Sequence, residues 1–244
     1  MSIELIILIS LSVVAFLYAA VGHGGASGYI AVFTLCGIAM PVYRPLVLLM
    51  NVLVAGSSFL QYSMRGYFRW NLLWPFLLTS VPFAFLGARM QVPQQLYKLI
   101  LGLALIYPVL RLSGIITLKQ NKPLPFSFPA ALCIGAVIGF ASGMLNIGGG
   151  IFLSPVLLLL GWAGMKEAAA VSAAFILCNS VAGLVAMRWE EYVFPGWSFC
   201  WLIAAVAGGL LGGWTGSRNL SSLFIQRLLA VVLALAAYKL IFLS

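Results

Sequence analysis

The chain has 244 residues, of which 64% are hydrophobic and 7% charged, whereas a water-soluble domain carries roughly a quarter of its residues as charges. A soluble fold is therefore excluded. At about 20 apolar residues per crossing there is room for at most about ten membrane-entering segments and no separate aqueous domain. The net charge of +9 comes with no Asp and with only Glu4, Glu167, Glu190 and Glu191 as acids, so the basic residues must face lipid headgroups or an anionic ligand.

In chain order, residues 2–21 read as a long apolar helix; without a basic start or an A-x-A site they are expected to be the first helix of the fold, not a cleaved signal peptide. Gly22-His23-Gly24-Gly25-Ala26-Ser27-Gly28 interrupts it, and a short apolar segment follows at 26–37. Long apolar spans are predicted at 45–64, 70–89 and 94–112. Lys119-Gln120-Asn121-Lys122-Pro123-Leu124-Pro125 is the most polar stretch, broken by two prolines, and reads as a linker. Beyond it come a helix at 127–145, the break Asn146-Ile147-Gly148-Gly149-Gly150, a short segment at 149–160, and spans at 167–187, 196–216 and 221–243.

The second series repeats the first. Gly24-Gly25-Ala26 corresponds to Gly148-Gly149-Gly150 at an offset of 124, Met64-Arg65 to Met187-Arg188 at 123, Trp70 and Trp74 to Trp197 and Trp201 at 127, and Gly87-Ala88-Arg89 to Gly216-Ser217-Arg218 at 129. Four anchors in one order mark a duplication. The expected fold class is an all-α membrane protein of two homologous repeats, 1–113 and 127–244 around a linker at 114–126, each with four long transmembrane helices and one half-helix after a Gly-rich break.

A 12-residue segment reaches only about 18 Å, short of a hydrocarbon core of about 30 Å. If each half-helix returns across the membrane a repeat has five crossings and the copies are inverted; if it does not, four crossings leave them parallel. With five crossings, Arg65, Arg69, Arg111, Lys119, Lys122, Lys166, Arg218 and Arg227 gather on one side against Arg44, Arg89, Lys98, Arg188 and Lys239 on the other, eight to five; with four the split is seven to six. The positive-inside bias favours inverted repeats.

Consecutive glycines in apolar sequence oppose helix formation by about 1 kcal/mol each, and non-helical backbone inside a membrane survives only within protein or along a cavity. A break followed by a helix leaves free N–H groups at the positive end of its dipole, a natural seat for an oxyanion. Candidate substrate contacts are therefore Gly24, Gly25, Ala26, Ser27, Gly148, Gly149 and Gly150, with Asn51 and Asn179, whose amides must pair with another helix or face a polar cavity. His23, the single histidine, is placed to gate or to sense protons, or simply to cap the break. Gly135, Gly139 and Gly143, and likewise Gly208, Gly212 and Gly216, recur every four residues and need only close helix packing to explain them. The paired Trp70/Trp74 and Trp197/Trp201 read as an interfacial belt. Cys36, Cys133, Cys178 and Cys200 show no C-x-x-C spacing and read as free thiols, with no metal site or cofactor expected.

The segment Gly22-His23-Gly24-Gly25-Ala26-Ser27-Gly28-Tyr29, together with Asn146-Ile147-Gly148-Gly149-Gly150 and Pro155 across a polar central loop, resembles the TauE/SafE family of sulfite exporters, also called the toluene-sulfonate uptake permease family. The resemblance implies a multi-pass permease of the bacterial cytoplasmic membrane for small sulfur-containing anions such as sulfite, thiosulfate or organosulfonates. Its partners would be that anion and the lipid bilayer, with no nucleic acid; a homo-oligomer is compatible with the sequence. An anion channel is the alternative within transport. An intramembrane enzyme using His23 and Ser27 lacks the third member of a catalytic triad, since no Asp is present.

Overall fold

The computed structural model describes residues 3–90, 124–189 and 194–218, with isolated positions between 93 and 110 and at Ala234 and Tyr238, and the backbone alone at Met40 and Pro41. Apart from those isolated positions, the helices expected at 94–112 and 221–243, and most of the linker, lie outside the described residues. Among the described residues the chain is all-helical. In order come α1 (Ile3–Ala19), α2 (Ala26–Leu35), α3 (Met40–Ser63), α4 (Trp70–Arg89), α5 (Phe128–Leu145), α6 (Gly150–Leu159), α7 (Met165–Ala186) and α8 (Ser198–Arg218).

Helices α3, α4, α5, α7 and α8 are long and apolar enough to cross a membrane, and α1, with 17 residues, nearly so. The short α2 and α6 have 10 residues each, about 15 Å of helix. Helix α3 begins five residues earlier than the expected 45: Pro41 lies in its first turn, where no N–H partner is needed, so proline starts the helix there instead of breaking it. Pro129 opens α5 in the same way behind Ser127, whose Oγ accepts from Ala130 N–H.

The glycine stripes fix how the helices run. A Cβ at Gly208, Gly212 or Gly216 would run into the backbone of Ser12, Phe16 or Ala20, so α8 lies directly on α1 and parallel to it. Gly135, Gly139 and Gly143 lie in the same way on Phe76, Ser80 and Ala84, making α5 parallel to α4. Two parallel neighbours need a crossing between them, and the chain between α4 and α5 is long enough to supply one. In the centre α3 and α7 are antiparallel: Leu48 faces Gly183, Asn51 faces Ser180, and Leu177 faces Gly56. Of the five long spans these two are the most enclosed, with 72% of the α7 span and 56% of the α3 span buried against 39% for α4, α5 and α8.

Where lipid tails are as apolar as leucine, such backbone contact and dispersion supply the association that burial supplies in water. The half-helix α2 fills the space beside α1 and α3 with Tyr29 and Phe33, both fully buried. Phe33 stacks on Tyr43 at 6.0 Å between centroids and meets Trp201 at 5.4 Å. Trp201 is therefore not part of an interfacial belt: it is buried in the core, while Trp70, Trp74 and Trp197 are exposed.

Candidate functional site

Each half-helix is preceded by glycine in a left-handed conformation, Gly25 at φ 97° before α2 and Gly149 at φ 80° before α6. Only glycine holds this geometry without strain, which explains why both breaks are glycine-rich. Ala20, at the end of α1, is level with Tyr62 near the C-terminal end of α3, whose hydroxyl donates to the Ala20 carbonyl at 3.0 Å. Four residues further on, Gly24 lies against Asn51 in the middle of α3. The break therefore folds back from the helix end toward the centre of the bundle before α2 begins.

The second break reaches the same place. A Cβ on Gly148 would come within 2.5 Å of Asn51 Nδ2 and 2.9 Å of Ser180 Oγ, and one on Gly24 would collide with Asn51 Oδ1; both glycines also meet Ile176. The two breaks thus converge from opposite ends of the bundle on a fully buried amide. Asn51 Oδ1 accepts from Ala26 N–H, the first residue of α2, at 3.2 Å, and Asn51 Nδ2 donates to Ser180 Oγ at 2.8 Å. An amide oxygen sits where an anion's oxygen would be held by the N-terminus of a helix.

The remaining candidates divide. Ser27 is turned to α1, its Oγ 2.7 Å from Tyr18 OH, and Gly25 packs on Tyr29, whose hydroxyl donates to the Gly24 carbonyl at 2.8 Å. Gly149 faces Ile138, Ser142 and Phe175, and Gly150 faces Ile176 and Ser172. Asn179 is buried on α7 one residue from Ser180, and neither amide atom has a partner among the described residues. His23 Nδ1 lies 3.0 Å from the Val21 carbonyl, and its other ring nitrogen, Nε2, faces α6. That Nε2 lies 3.2 Å from Ser154 Oγ, which is 2.7 Å from Ser172 Oγ, so the first break is tied to α6 and α7.

A family model described as sulfite exporter TauE/SafE matches residues 6–240. The chain belongs to the TauE/SafE family. A probable membrane transporter protein, y4hK, of Sinorhizobium fredii is 36% identical over 241 residues, covering 96% of each chain. YunE of Bacillus subtilis, also named a probable membrane transporter protein, is 30% identical over 137 residues, 53% of this chain and 49% of that one. No solved structure matches the chain. Family and relatives are membrane transporters, not enzymes, and this TauE/SafE protein is a multi-pass membrane protein.

Sequence reasoning missed Ser154, Ser172 and Ser180 in this TauE/SafE chain. A serine in an apolar helix carries little signal, because its hydroxyl can bond back to its own helix. The clue available was spacing: Ser172, Ile176, Asn179 and Gly183 share one face of α7, next to Ser180. Cys178 falls outside that face and lines an apolar groove of about 780 Å³ between α4 and α7, with Val81, Phe85 and Val185.

Proposed function

We propose that this protein is a permease of the bacterial cytoplasmic membrane that binds a small sulfur oxyanion, such as sulfite, thiosulfate or an organosulfonate, between its two Gly-rich breaks. The observation that carries this reading is the meeting of Gly24 and Gly148 at Asn51, with the amide oxygen on Ala26 N–H at 3.2 Å. The anion takes up the donors now facing Asn51, along with the N-terminus of α6, whose N-cap Gly149 has no side chain to cap it. Asn179, buried and without a partner among the described residues, supplies a further polar group. Gly24, Gly25, Ala26, Ser27, Gly148, Gly149 and Gly150 shape the two N-termini, and His23 couples the first break to the opposite half.

Alternating exposure of such a site calls for two halves that rock against one another. We read 1–113 and 127–244 as inverted repeats, supported by two observations. Helices α3 and α7, at equivalent places in the two halves, run antiparallel, as copies related by a twofold axis in the membrane plane must. The parallel pair α1 and α8 has its counterpart in the parallel pair α5 and α4.

The test is uptake of sulfite, thiosulfate and a small organosulfonate into liposomes holding the purified protein, with chloride and sulfate as controls. Saturable flux with counterflow for one of the three is the expected result; a non-saturating, unselective flux would make the protein a channel, and no flux for any of them would overturn the substrate class.

A further inference from the structure

Arg44 stands near the start of α3, half-buried, on the end of the bundle opposite to Arg65, Arg69, Lys166 and Arg218. A basic residue at such a position ordinarily extends its head toward the lipid headgroups. Arg44 instead turns to the second break. Asn146, buried and in the left-handed conformation at φ 57°, caps α5. With its amide oxygen facing the guanidinium, it accepts from Arg44 Nε at 2.6 Å and Nη2 at 3.2 Å. The opposite orientation would set amide hydrogens against guanidinium hydrogens.

A neutral amide satisfies hydrogen bonds but leaves the charge. The ion pair seen among the described residues joins Arg69 to Glu167 at 3.6 Å at the other end of the bundle, and no carboxylate there lies within ion-pair distance of Arg44. From Asn146 the chain needs only two residues to reach Gly148 and the Asn51 amide. The arrangement is not repeated in the first half: at offset 123 Glu167 takes the place of Arg44, and at offset 124 Gly22 takes the place of Asn146.

We propose that Arg44 is the residue that receives the anion at the mouth beside the second break, held in place by the Asn146 amide oxygen, which the anion displaces. This rests on the transporter reading above. Arginine presents a planar fork of N–H groups that matches two oxygens of a sulfite or sulfonate group. A neutral holder is readily exchanged for a charged one, so the fork is ordered before the anion arrives and released to it on contact.

Sulfite uptake into proteoliposomes is measured for the wild type and for R44Q, R44K and N146G, with Vmax and KM separated and the amount of folded protein checked by size-exclusion chromatography. R44Q raises KM about tenfold, the scale of one lost charge-assisted hydrogen bond, with Vmax within about twofold of the wild type. R44K, which keeps the charge without the fork, falls between. N146G preserves the left-handed cap and frees the guanidinium, so its KM stays at or below that of the wild type. If the contact is only a latch, R44Q and N146G lower folded protein or Vmax together with KM unchanged, and the assignment falls. Unchanged kinetics in R44Q overturn it as well. A wild type that carries no sulfite overturns the sulfite reading and this role together, which separates that failure from loss of the Arg44 role alone.

Discussion

The two breaks bring the same backbone geometry to one amide and surround it with different chemistry. Before α2 the first N–H is occupied by the Asn51 oxygen, and His23 ties the loop to Ser154 on α6. Before α6 the N-cap is Gly149, and a polar group near this break is a guanidinium held by Asn146. The two breaks thus share what builds the backbone, glycine at positive φ beneath a half-helix, and differ in the side chains around it. On the proposed reading of alternating exposure, equivalent backbones rock between two states, while the two mouths face different solutions and have no reason to match.

The sharpest way to break this comparison is to fill the meeting point from either side. Gly148→Val forces a branched side chain into a left-handed residue at φ 70° and against Asn51 Nδ2, so flux falls about a hundredfold or more, the scale of a misplaced site. Gly24→Val presses on the same amide from the first break and has a comparable effect. Both variants should still insert, as judged by membrane fractionation. Loss in one and normal flux in the other would mean that the breaks do not share a site.

Asn51→Asp comes next. It puts a carboxylate on Ala26 N–H, where the reading places the transported anion, and should lower flux by about ten- to thirtyfold through repulsion and occupation of the donors. Sulfite flux in liposomes is the readout. Normal flux would detach Asn51 from the path and leave it as a bridge between α3 and α7.

The sequence carried the backbone of this site more clearly than its side chains, for a physical reason. Glycine runs in apolar sequence have few uses, so Gly24 and Gly148 marked both breaks. Helix packing was legible from the four-residue glycine spacing, which the contacts of Gly139 with Ser80 and of Gly212 with Phe16 bear out. The partner of Asn51 was not legible, because Ser180 is one small polar residue among many and its meaning depends on α3 and α7 crossing at that height. Trp201 was misread as interfacial because a tryptophan near a helix start looks the same in sequence whether it faces lipid or, as here, Phe33.

A smaller effect separates the first break's side-chain tie from its backbone. Ser154→Ala removes the group 3.2 Å from His23 Nε2 and 2.7 Å from Ser172 Oγ while leaving every glycine in place. One buried hydrogen bond is worth about 1 kcal/mol, so flux should fall only a few-fold, with a small drop in the thermal midpoint in detergent. A collapse of flux as deep as in Gly148→Val would show that the tie, and not the glycine geometry, governs the first break.

The smallest effect is expected at Glu167, the residue that the proposed repeat sets opposite Arg44 at offset 123. Its carboxylate accepts from Gly164 N–H at 2.9 Å and lies 3.6 Å from Arg69, with both side chains substantially exposed. An exposed ion pair contributes about 0 to 1 kcal/mol, less at high salt. Glu167→Gln keeps the hydrogen-bonding oxygen and removes the charge, so sulfite flux should change by less than about twofold and any loss of stability should fade in about 1 M salt, where screening acts within about 3 Å. If flux instead rises several-fold, the acid has been repelling anions at the first mouth, and the difference between the two mouths is one of charge sign at a single duplicated position; if it does not change, the difference lies in Arg44 alone.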